Sequence, residues 1–220
     1  MHLPGVDDWT RPHLASSALV VIDVQADFLD GGAAPIAGTS AVLPALSALA
    51  EAFRDAGRPI FHVVRLYDGG DVDLVRRAAV AAGRGPVPPG GDGAEVPAEL
   101  LGRPVRLDAE VLLAGGVQAV GPAEWLLWKP RWSAFHRTDL DVRLRQLGVD
   151  TVVVAGCNLP NCPRATIFDA TSRDYRVVMV SDGLSRVTAE RWHDLLGIGA
   201  IGATASEIVD ELVQLTEGAA

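Results

Sequence analysis

The amino-acid sequence predicts an α/β fold with a mainly parallel sheet and helices on both of its faces. Short runs of β-branched and other apolar residues, the composition of strands buried on both faces, recur along the chain. Between most of these runs lie segments with apolar residues at helical spacing, and this alternation is typical of parallel sheets. With 220 residues and 49% hydrophobic content, the chain is long enough to bury one substantial core.

The predicted elements alternate along the chain, and turn residues separate them. Strands are predicted at 18–24, 59–65, 125–129, 150–155, 176–181 and 203–205, and helices at 40–56, 72–82, 138–147, 164–173, 188–198 and 207–215. The first helix has Ser40 as a candidate N-cap and Gly57 as its stop. The Gly/Pro cluster at 83–93 is predicted to be loop, and 96–120 to be irregular with a short helical turn.

The domain organisation follows from these elements. We predict an N-terminal extension at 1–17, followed by a single domain at 18–220. This domain carries a Gly/Pro-rich insertion around 68–122, and we expect its loop at 83–93 to form a lid or an oligomer contact.

Composition narrows the class of partner. The formal net charge is −9 and no basic run is present, so a nucleic-acid partner is not expected. No apolar stretch reaches transmembrane length and no signal peptide is visible, so no membrane partner is expected either. Two cysteines five residues apart make no disulfide framework, which indicates a reducing, cytoplasmic setting. The expected partner is a small-molecule substrate.

Three side chains of complementary chemistry fall at the ends of predicted strands. Asp23 ends the first strand, Lys129 (the only lysine) ends the third, and Cys162 stands at the turn from the fourth strand into a helix. The carboxyl ends of parallel strands meet at one edge of the sheet, where ligands bind. In a catalytic interpretation, Asp23 takes the thiol proton, Lys129 holds Asp23 and favours the thiolate, and Cys162 attacks a carbonyl. Each residue also has a structural interpretation, but the three together favour a nucleophilic site.

Several ordered segments carry a family resemblance. They are 23–28 (Asp-Val-Gln-Ala-Asp-Phe), Lys129 followed by 133–135 and 138–140, Gly156 six residues before Cys162, Asp169 with Ala170, and 180–185. In these segments the chain resembles the isochorismatase-like cysteine hydrolases, from about residue 18 to about residue 212. The resemblance implies a three-layer α/β/α sandwich with a mostly parallel six-stranded sheet of order 3-2-1-4-5-6. It also implies a triad of Asp23, Lys129 and Cys162, and a homodimer or homotetramer.

The resemblance further implies the geometry around the nucleophile. Family members have a cis peptide bond that does not precede proline, three to four residues before the cysteine. We place it between Asn158 and Leu159, with the backbone amides of Asn158 and Cys162 as the oxyanion hole. The chain departs from the family pattern at Leu159, where Thr is usual, and at Pro163, where Val is usual.

A metal site is not expected. Nicotinamidases of this family carry one on an Asp-x-His motif after the second strand. The corresponding stretch here, 65–68, reads Arg-Leu-Tyr-Asp with no following His. We therefore predict no metal and no other cofactor, and nicotinamide becomes a less favoured substrate.

Five residues are candidates for substrate binding: Phe28, Trp132, Phe135, Asn161 and Arg65. Phe28 and Trp132 are favoured as pocket walls over simple packing under a loop, while the two alternatives are balanced for Phe135. Asn161 precedes the nucleophile and is expected to face the substrate. Arg65 either binds a substrate carboxylate or forms an ordinary surface ion pair. The second cysteine, at position 157, is expected to be buried and inert.

The sequence therefore predicts a metal-independent amidohydrolase that cleaves an amide, ureido, carbamoyl or lactam C–N bond through a Cys162 thioester. One alternative is an isochorismatase-type vinyl-ether hydrolase, which typically lacks the nucleophile, so Cys162 counts against it. A second is a non-catalytic binding member of the fold, against which the intact triad counts. A Rossmann dinucleotide binder should have a Gly-rich turn after the first strand, and this chain does not.

Overall fold

The computed structural model describes residues 6–218, and these residues fold around a seven-stranded sheet. The strands are β1 (Ser17–Ile22), β2 (Ile60–Val64), β3 (Val117–Gly121), β4 (Glu124–Trp128), β5 (Thr151–Gly156), β6 (Arg176–Leu184) and β7 (Ile201–Ala203). The helices are α1 (Thr39–Asp55), α2 (Arg77–Ala81), α3 (Ala98–Leu101), α4 (Ala109–Leu113), α5 (Leu140–Gln146), α6 (Cys162–Thr171), α7 (Ala189–Leu196) and α8 (Ala205–Glu217). Residues 1–5 of the predicted N-terminal extension and residues 219–220 of the predicted domain lie outside the described part.

The order of the sheet is β3-β4-β2-β1-β5-β6-β7, and every neighbouring pair is parallel except β3 and β4. The six predicted strands correspond to β1, β2 and β4 to β7, and their predicted order is confirmed. The prediction of irregular structure at 96–120 is wrong, because α3, α4 and the antiparallel edge strand β3 lie there. Strand β3 is mostly half-buried and lacks a continuous apolar run, so its sequence does not resemble that of the central strands.

All six predicted helices are present with shifted ends, and two of them begin differently for a local reason. Helix α1 begins at Thr39 with Gly38 in the left-handed conformation at its N-cap, so Ser40 does not cap it. Gly57 follows its C-terminus with a φ of +62°, as expected for a glycine stop. The helix predicted at 72–82 is shorter and starts as a 3-10 turn, Leu74–Arg76, before α2.

The core lies on both faces of the sheet. Leu19 and Val21 of β1 face a cluster that includes residues of α1 and α8, while Val20 and Ile22 face a cluster with α5, α6 and α7. All six residues of β1 are buried, as the apolar run predicted. The layers of helix, sheet and helix therefore match the predicted sandwich. Among the helices of residues 6–218, none combines the length and the apolar character needed to cross a lipid bilayer.

A charge network joins α1 to β2 and β4. It lies away from the strand ends that carry the predicted triad. Arg54 of α1 donates two hydrogen bonds to the carboxylate of Glu124, at 2.8 and 2.7 Å. His62 lies 2.6 Å from the same carboxylate. Burial by itself raises the pKa of Glu124, but the hydrogen bonds from Arg54 and His62 outweigh it and lower this pKa to about 2.

Replacing Glu124 with Gln should therefore destabilise the protein in a pH-dependent way. The folded-state pKa lies below the ordinary 4.5, so the carboxylate stabilises the fold above pH 4.5, and this contribution is lost as the pH falls towards about 2. We expect Glu124→Gln to lower the free energy of unfolding by roughly 2 kcal/mol at pH 7, and by progressively less between pH 4.5 and 2. Urea unfolding at several pH values measures this difference.

The exposed Glu99 offers a control, since Glu99→Gln should change the unfolding free energy little at any pH. A Glu124→Gln deficit that stayed constant from pH 7 to pH 3 would show that the low pKa is not the cause.

Candidate active site

The structure brings the three predicted catalytic residues together at the carboxyl ends of the central strands. Asp23 follows β1, Lys129 follows β4, and Cys162 begins α6 after β5. The Lys129 Nζ donates to the Asp23 Oδ2 at 2.9 Å, and both side chains are buried. The thiol of Cys162 is also buried and lines the same cavity as Asp23. A carboxylate, an ammonium group and a thiol therefore share one buried site.

The pKa of Cys162 does not follow the expectation that Lys129 favours a thiolate at this position. Burial raises the pKa of Cys162 above its usual range, and the charge of Asp23 raises it further. Lys129 and Arg65 act in the opposite direction but do not outweigh these two causes. The resting group is therefore a thiol that needs a base. Within residues 6–218 the Oδ1 of Asp23 is buried without a hydrogen-bond partner, so this oxygen is available for that role.

The segment after β1 shows why the 23–28 motif has its composition. Asp23 adopts a left-handed conformation with a φ of +55°, and its N–H donates to the Val63 carbonyl at 2.8 Å. The Gln25 side chain bonds to both the N–H and the carbonyl of Arg65, each at 2.8 Å. Asp27 accepts from the backbone N–H of Val87 at 2.6 Å. The Asp23 carboxylate thus lies in the candidate site, and the side chains of Gln25 and Asp27 hold neighbouring loops in place.

The cis peptide bond lies between Cys157 and Asn158, one residue earlier than predicted. The prediction counted back three to four residues from the nucleophile, and the sequence does not distinguish the neighbouring bonds. The N–H of Leu159 donates to the Ser185 carbonyl at 3.0 Å, which ties this residue to the end of β6. Among the described residues, the N–H groups of Asn158 and Cys162 donate to no backbone carbonyl. Both amides therefore remain available to bind an oxyanion.

Gly156 is the residue at which β5 turns towards the nucleophile. Its φ is +109°, and a Cβ added there would lie 2.2 Å from the Ile22 carbonyl oxygen of the neighbouring strand. Only glycine fits, because any side chain would need β5 and β1 to separate.

Gly156→Ala should lower the free energy of unfolding by more than about 3 kcal/mol, since steric overlap adds to the cost of the backbone conformation. Gly148→Ala is a matched control. Gly148 also has a positive φ, of +68°, but an added Cβ there would meet open space. It should cost only about 1 kcal/mol in the same urea titration. Equal losses for the two variants would contradict the role given to the close approach at Gly156.

A small cavity of about 220 Å³ opens over the nucleophile. Four predicted substrate-binding residues line it: Phe28, Arg65, Trp132 and Asn161. Phe28 is almost fully buried, while the Trp132 side chain is 43% exposed and stands at the mouth.

The fifth candidate, Phe135, lies elsewhere. It packs in the core against Tyr175, with ring centroids 5.9 Å apart, and is absent from the cavity lining. The structure thus shows core packing for Phe135, because the chain after Lys129 directs this ring towards α6 and β6.

Arg65 does not lie at the surface, so the alternative of an ordinary surface ion pair does not apply to it. It is 2% exposed, and it pairs with Asp73 at 2.9 Å. Its second terminal nitrogen lies 3.8 Å from the Cys162 sulfur. Burial opposes its charge, but nearby carboxylates, first Asp23, keep the pKa of Arg65 above its ordinary value. A permanent positive charge therefore stands beside the nucleophile, at the end of the strand where nicotinamidases are expected to carry their metal motif.

Part of the cavity wall was missed from the sequence. Tyr67, Asp73, Val75 and Arg76 all line the cavity, and all belong to the insertion or its approach. The insertion is held over the site by ion pairs of Asp71 with Arg131 and Arg137. No periodicity or motif marked these residues, because their position depends on how a Gly/Pro-rich segment packs. Across residues 6–218, no three His, Cys, Asp or Glu side chains form a group that could hold a metal ion.

Comparison with known proteins shows the family to which the chain belongs. The Isochorismatase domain model matches residues 17–210, so the chain belongs to the isochorismatase family of hydrolases. The resemblance inferred from the separate sequence segments is thereby confirmed.

Individual relatives cover most of the chain. A protein of Arabidopsis thaliana named "Probable inactive nicotinamidase" is 33% identical over 206 residues, which are 90% of this chain and 96% of that one. The ureidoacrylate amidohydrolase RutB of Methylobacterium radiotolerans is 28% identical over 192 residues, covering 81% and 70% of the two chains. The crystal structure of an isochorismatase family protein from Desulfovibrio vulgaris superposes with a TM-score of 0.76 at 33% identity, covering 90% and 98%.

Proposed function

We propose that this protein hydrolyses a C–N bond of a small molecule (an amide, ureide, carbamoyl group or lactam) through a thioester on Cys162. The observation that carries the proposal is a buried thiol in the same cavity as a carboxylate that is itself paired with Lys129 at 2.9 Å. A relative with an amidohydrolase name supports the same bond type. The cavity of about 220 Å³ is below the volume of a typical drug-sized site, which favours a small substrate.

The geometry supports a two-stage mechanism. In the first stage Asp23 takes the proton of the Cys162 thiol, and the sulfur attacks the substrate carbonyl carbon. The N–H groups of Asn158 and Cys162 stabilise the negative oxygen that forms. Asp23 then gives its proton to the nitrogen as the C–N bond breaks, so the amine or ammonia leaves neutral and the acyl group stays on sulfur.

The second stage regenerates the thiol. Asp23 accepts a proton from water while the water oxygen attacks the thioester carbonyl. The tetrahedral intermediate collapses, the C–S bond breaks, and the thiolate recovers the proton from Asp23. The product is a carboxylic or carbamic acid. Throughout, Lys129 holds Asp23 in position and balances its charge.

Two rival functions make different use of the same residues. A vinyl-ether hydrolase would need Asp23 as an acid but no nucleophile, so the position of Cys162 beside Asp23 argues against it. A non-catalytic binding protein of this fold would not require a buried thiol in the same cavity as a carboxylate paired with a lysine. One relative carries "inactive" in its name, so activity must be tested directly.

Release of ammonia or amine from a panel of amides, ureides and lactams tests the proposal. We expect the wild type to turn over at least one of these classes, and Cys162→Ala to lose at least about 10³-fold in kcat/KM, because the nucleophile is absent. Cys157→Ala removes the other buried cysteine, five residues away, and should reduce activity far less. Turnover that survives in Cys162→Ala would contradict the covalent mechanism.

A further inference from the structure

The charges around the cavity do not balance. Two ion pairs are internal to the site: Lys129 with Asp23, and Arg65 with Asp73, each at 2.9 Å. Arg76 lines the same cavity and is half-buried. Among the carboxylates of residues 6–218, none forms an ion pair with Arg76. The cavity therefore keeps one positive charge that the described part of the chain does not neutralise.

A second observation concerns Arg65, which lines the same cavity. The Nε of Arg65 is buried and has no hydrogen-bond partner within the described residues, although the side chain is only 2% exposed. An unpaired buried donor costs free energy, and a bound acceptor would remove that cost. Since Arg65 and Arg76 line the same small space, the cavity offers guanidinium donors of which only part are used by the protein.

The state of the nucleophile does not remove the surplus. Because Cys162 rests as a neutral thiol, it contributes no negative charge to the cavity. When Asp23 takes the thiol proton, one negative charge moves from carboxylate to sulfur and the total is unchanged. The cavity is therefore suited to a monoanion both before and after activation. A cationic substrate would bring a second unbalanced positive charge into the same small volume.

We propose that the substrate carries a carboxylate, and that Arg76 binds it while Cys162 attacks a C–N bond elsewhere in the same molecule. This inference rests on the proposed function and makes it more specific, since it names the charge of the substrate and the residue that selects it. Guanidinium and carboxylate match as bidentate partners, which fixes the orientation of the substrate as well as its charge. The cavity of about 220 Å³ restricts the substrate to a short molecule, such as a half-amide or a ureido acid.

Calorimetric binding of two matched ligands tests this assignment. Succinamate and succinamide have the same skeleton, and they differ in that one carries a carboxylate where the other has a carboxamide. In Cys162→Ala, which cannot turn them over, we expect succinamate to bind at least about tenfold more tightly. Adding Arg76→Gln should abolish that preference, and adding Arg76→Lys should keep part of it, because the charge remains but the bidentate geometry is lost. Arg84→Gln removes an exposed arginine of the same insertion and should leave the preference intact.

Each outcome supports or overturns the assignment. Equal binding of the two ligands, no detectable binding of succinamate, or a preference that survives Arg76→Gln would overturn it. Hydrolysis by the wild-type protein separates this inference from the proposed function. If the diamide is hydrolysed through Cys162 as efficiently as the half-amide, only the carboxylate assignment fails. If succinamate binds selectively through Arg76 but Cys162 never becomes acylated by any amide, only the proposed function fails.

Discussion

Replacing Asp23 with Asn is expected to lower kcat/KM by at least about 10³-fold while making Cys162 easier to alkylate near neutral pH. Turnover falls while alkylation becomes easier because Asp23 affects the Cys162 thiol in two ways. As a base and acid it moves the protons that turnover requires. As a negative charge it raises the pKa of Cys162, second only to burial among the causes. Removing this charge should lower that pKa and increase the thiolate fraction at a given pH.

The rate of iodoacetamide reaction at Cys162, followed by peptide mass across pH, measures the ease of alkylation, and ammonia release measures the loss of turnover. The pH midpoint of alkylation should fall in Asp23→Asn relative to the wild type. Asp30→Asn changes an exposed carboxylate in the same loop and should leave both measurements unchanged. An upward shift of the alkylation midpoint in Asp23→Asn, or turnover at the wild-type rate, would contradict the role assigned to Asp23.

Lys129→Met is expected to lower the free energy of unfolding by about 3–5 kcal/mol. Lys129 is fully buried and donates to Asp23, so its loss leaves a buried carboxylate without its partner. The Oδ1 of Asp23 already lacks a hydrogen-bond partner among the described residues, which leaves little to compensate for the loss. Methionine is similar in length and flexibility, so the effect reports the missing charge more than a missing volume.

A double-mutant cycle separates the ion pair from other effects of the substitution. Neutralising both partners, in Asp23→Asn with Lys129→Met, should restore part of the stability lost in Lys129→Met alone. Arg164→Met removes the half-exposed partner of Asp194 and should cost no more than about 1 kcal/mol in the same urea titration. If Lys129→Met cost no more than Arg164→Met, the buried pair would not have the importance given to it.

The sheet was predictable where the pattern is local. The apolar runs of β1 and β5 are buried along their whole length, so their composition alone marks them as central strands. Strand β3 was not predictable, because it is mostly half-buried and is defined by its antiparallel pairing with β4. The Gly121-Pro122 dipeptide marks a turn before β4, but a turn signal alone does not show that the half-buried segment before it pairs as a strand.

The candidate site divides in the same way. Asp23, Lys129 and Cys162 were identified because strand ends of a parallel sheet meet at one edge, a consequence of topology alone. The direction of the Cys162 pKa shift could not be predicted from the sequence, since it depends on how deeply the thiol is buried. The position of the cis bond, the core placement of Phe135 and the contribution of Arg76 depend likewise on loop packing, which the sequence pattern does not encode.

The thioester is tested most directly with two substrates that carry the same acyl group on different leaving amines. With hydroxylamine present, two substrates that share an acyl group but release different amines should give the same ratio of hydroxamate to acid. A shared acyl-Cys162 intermediate forms from both and has no record of which amine has left. Both products should disappear in Cys162→Ala. A ratio that changes with the leaving group, or acid formed from either substrate by Cys162→Ala, would contradict covalent catalysis at Cys162.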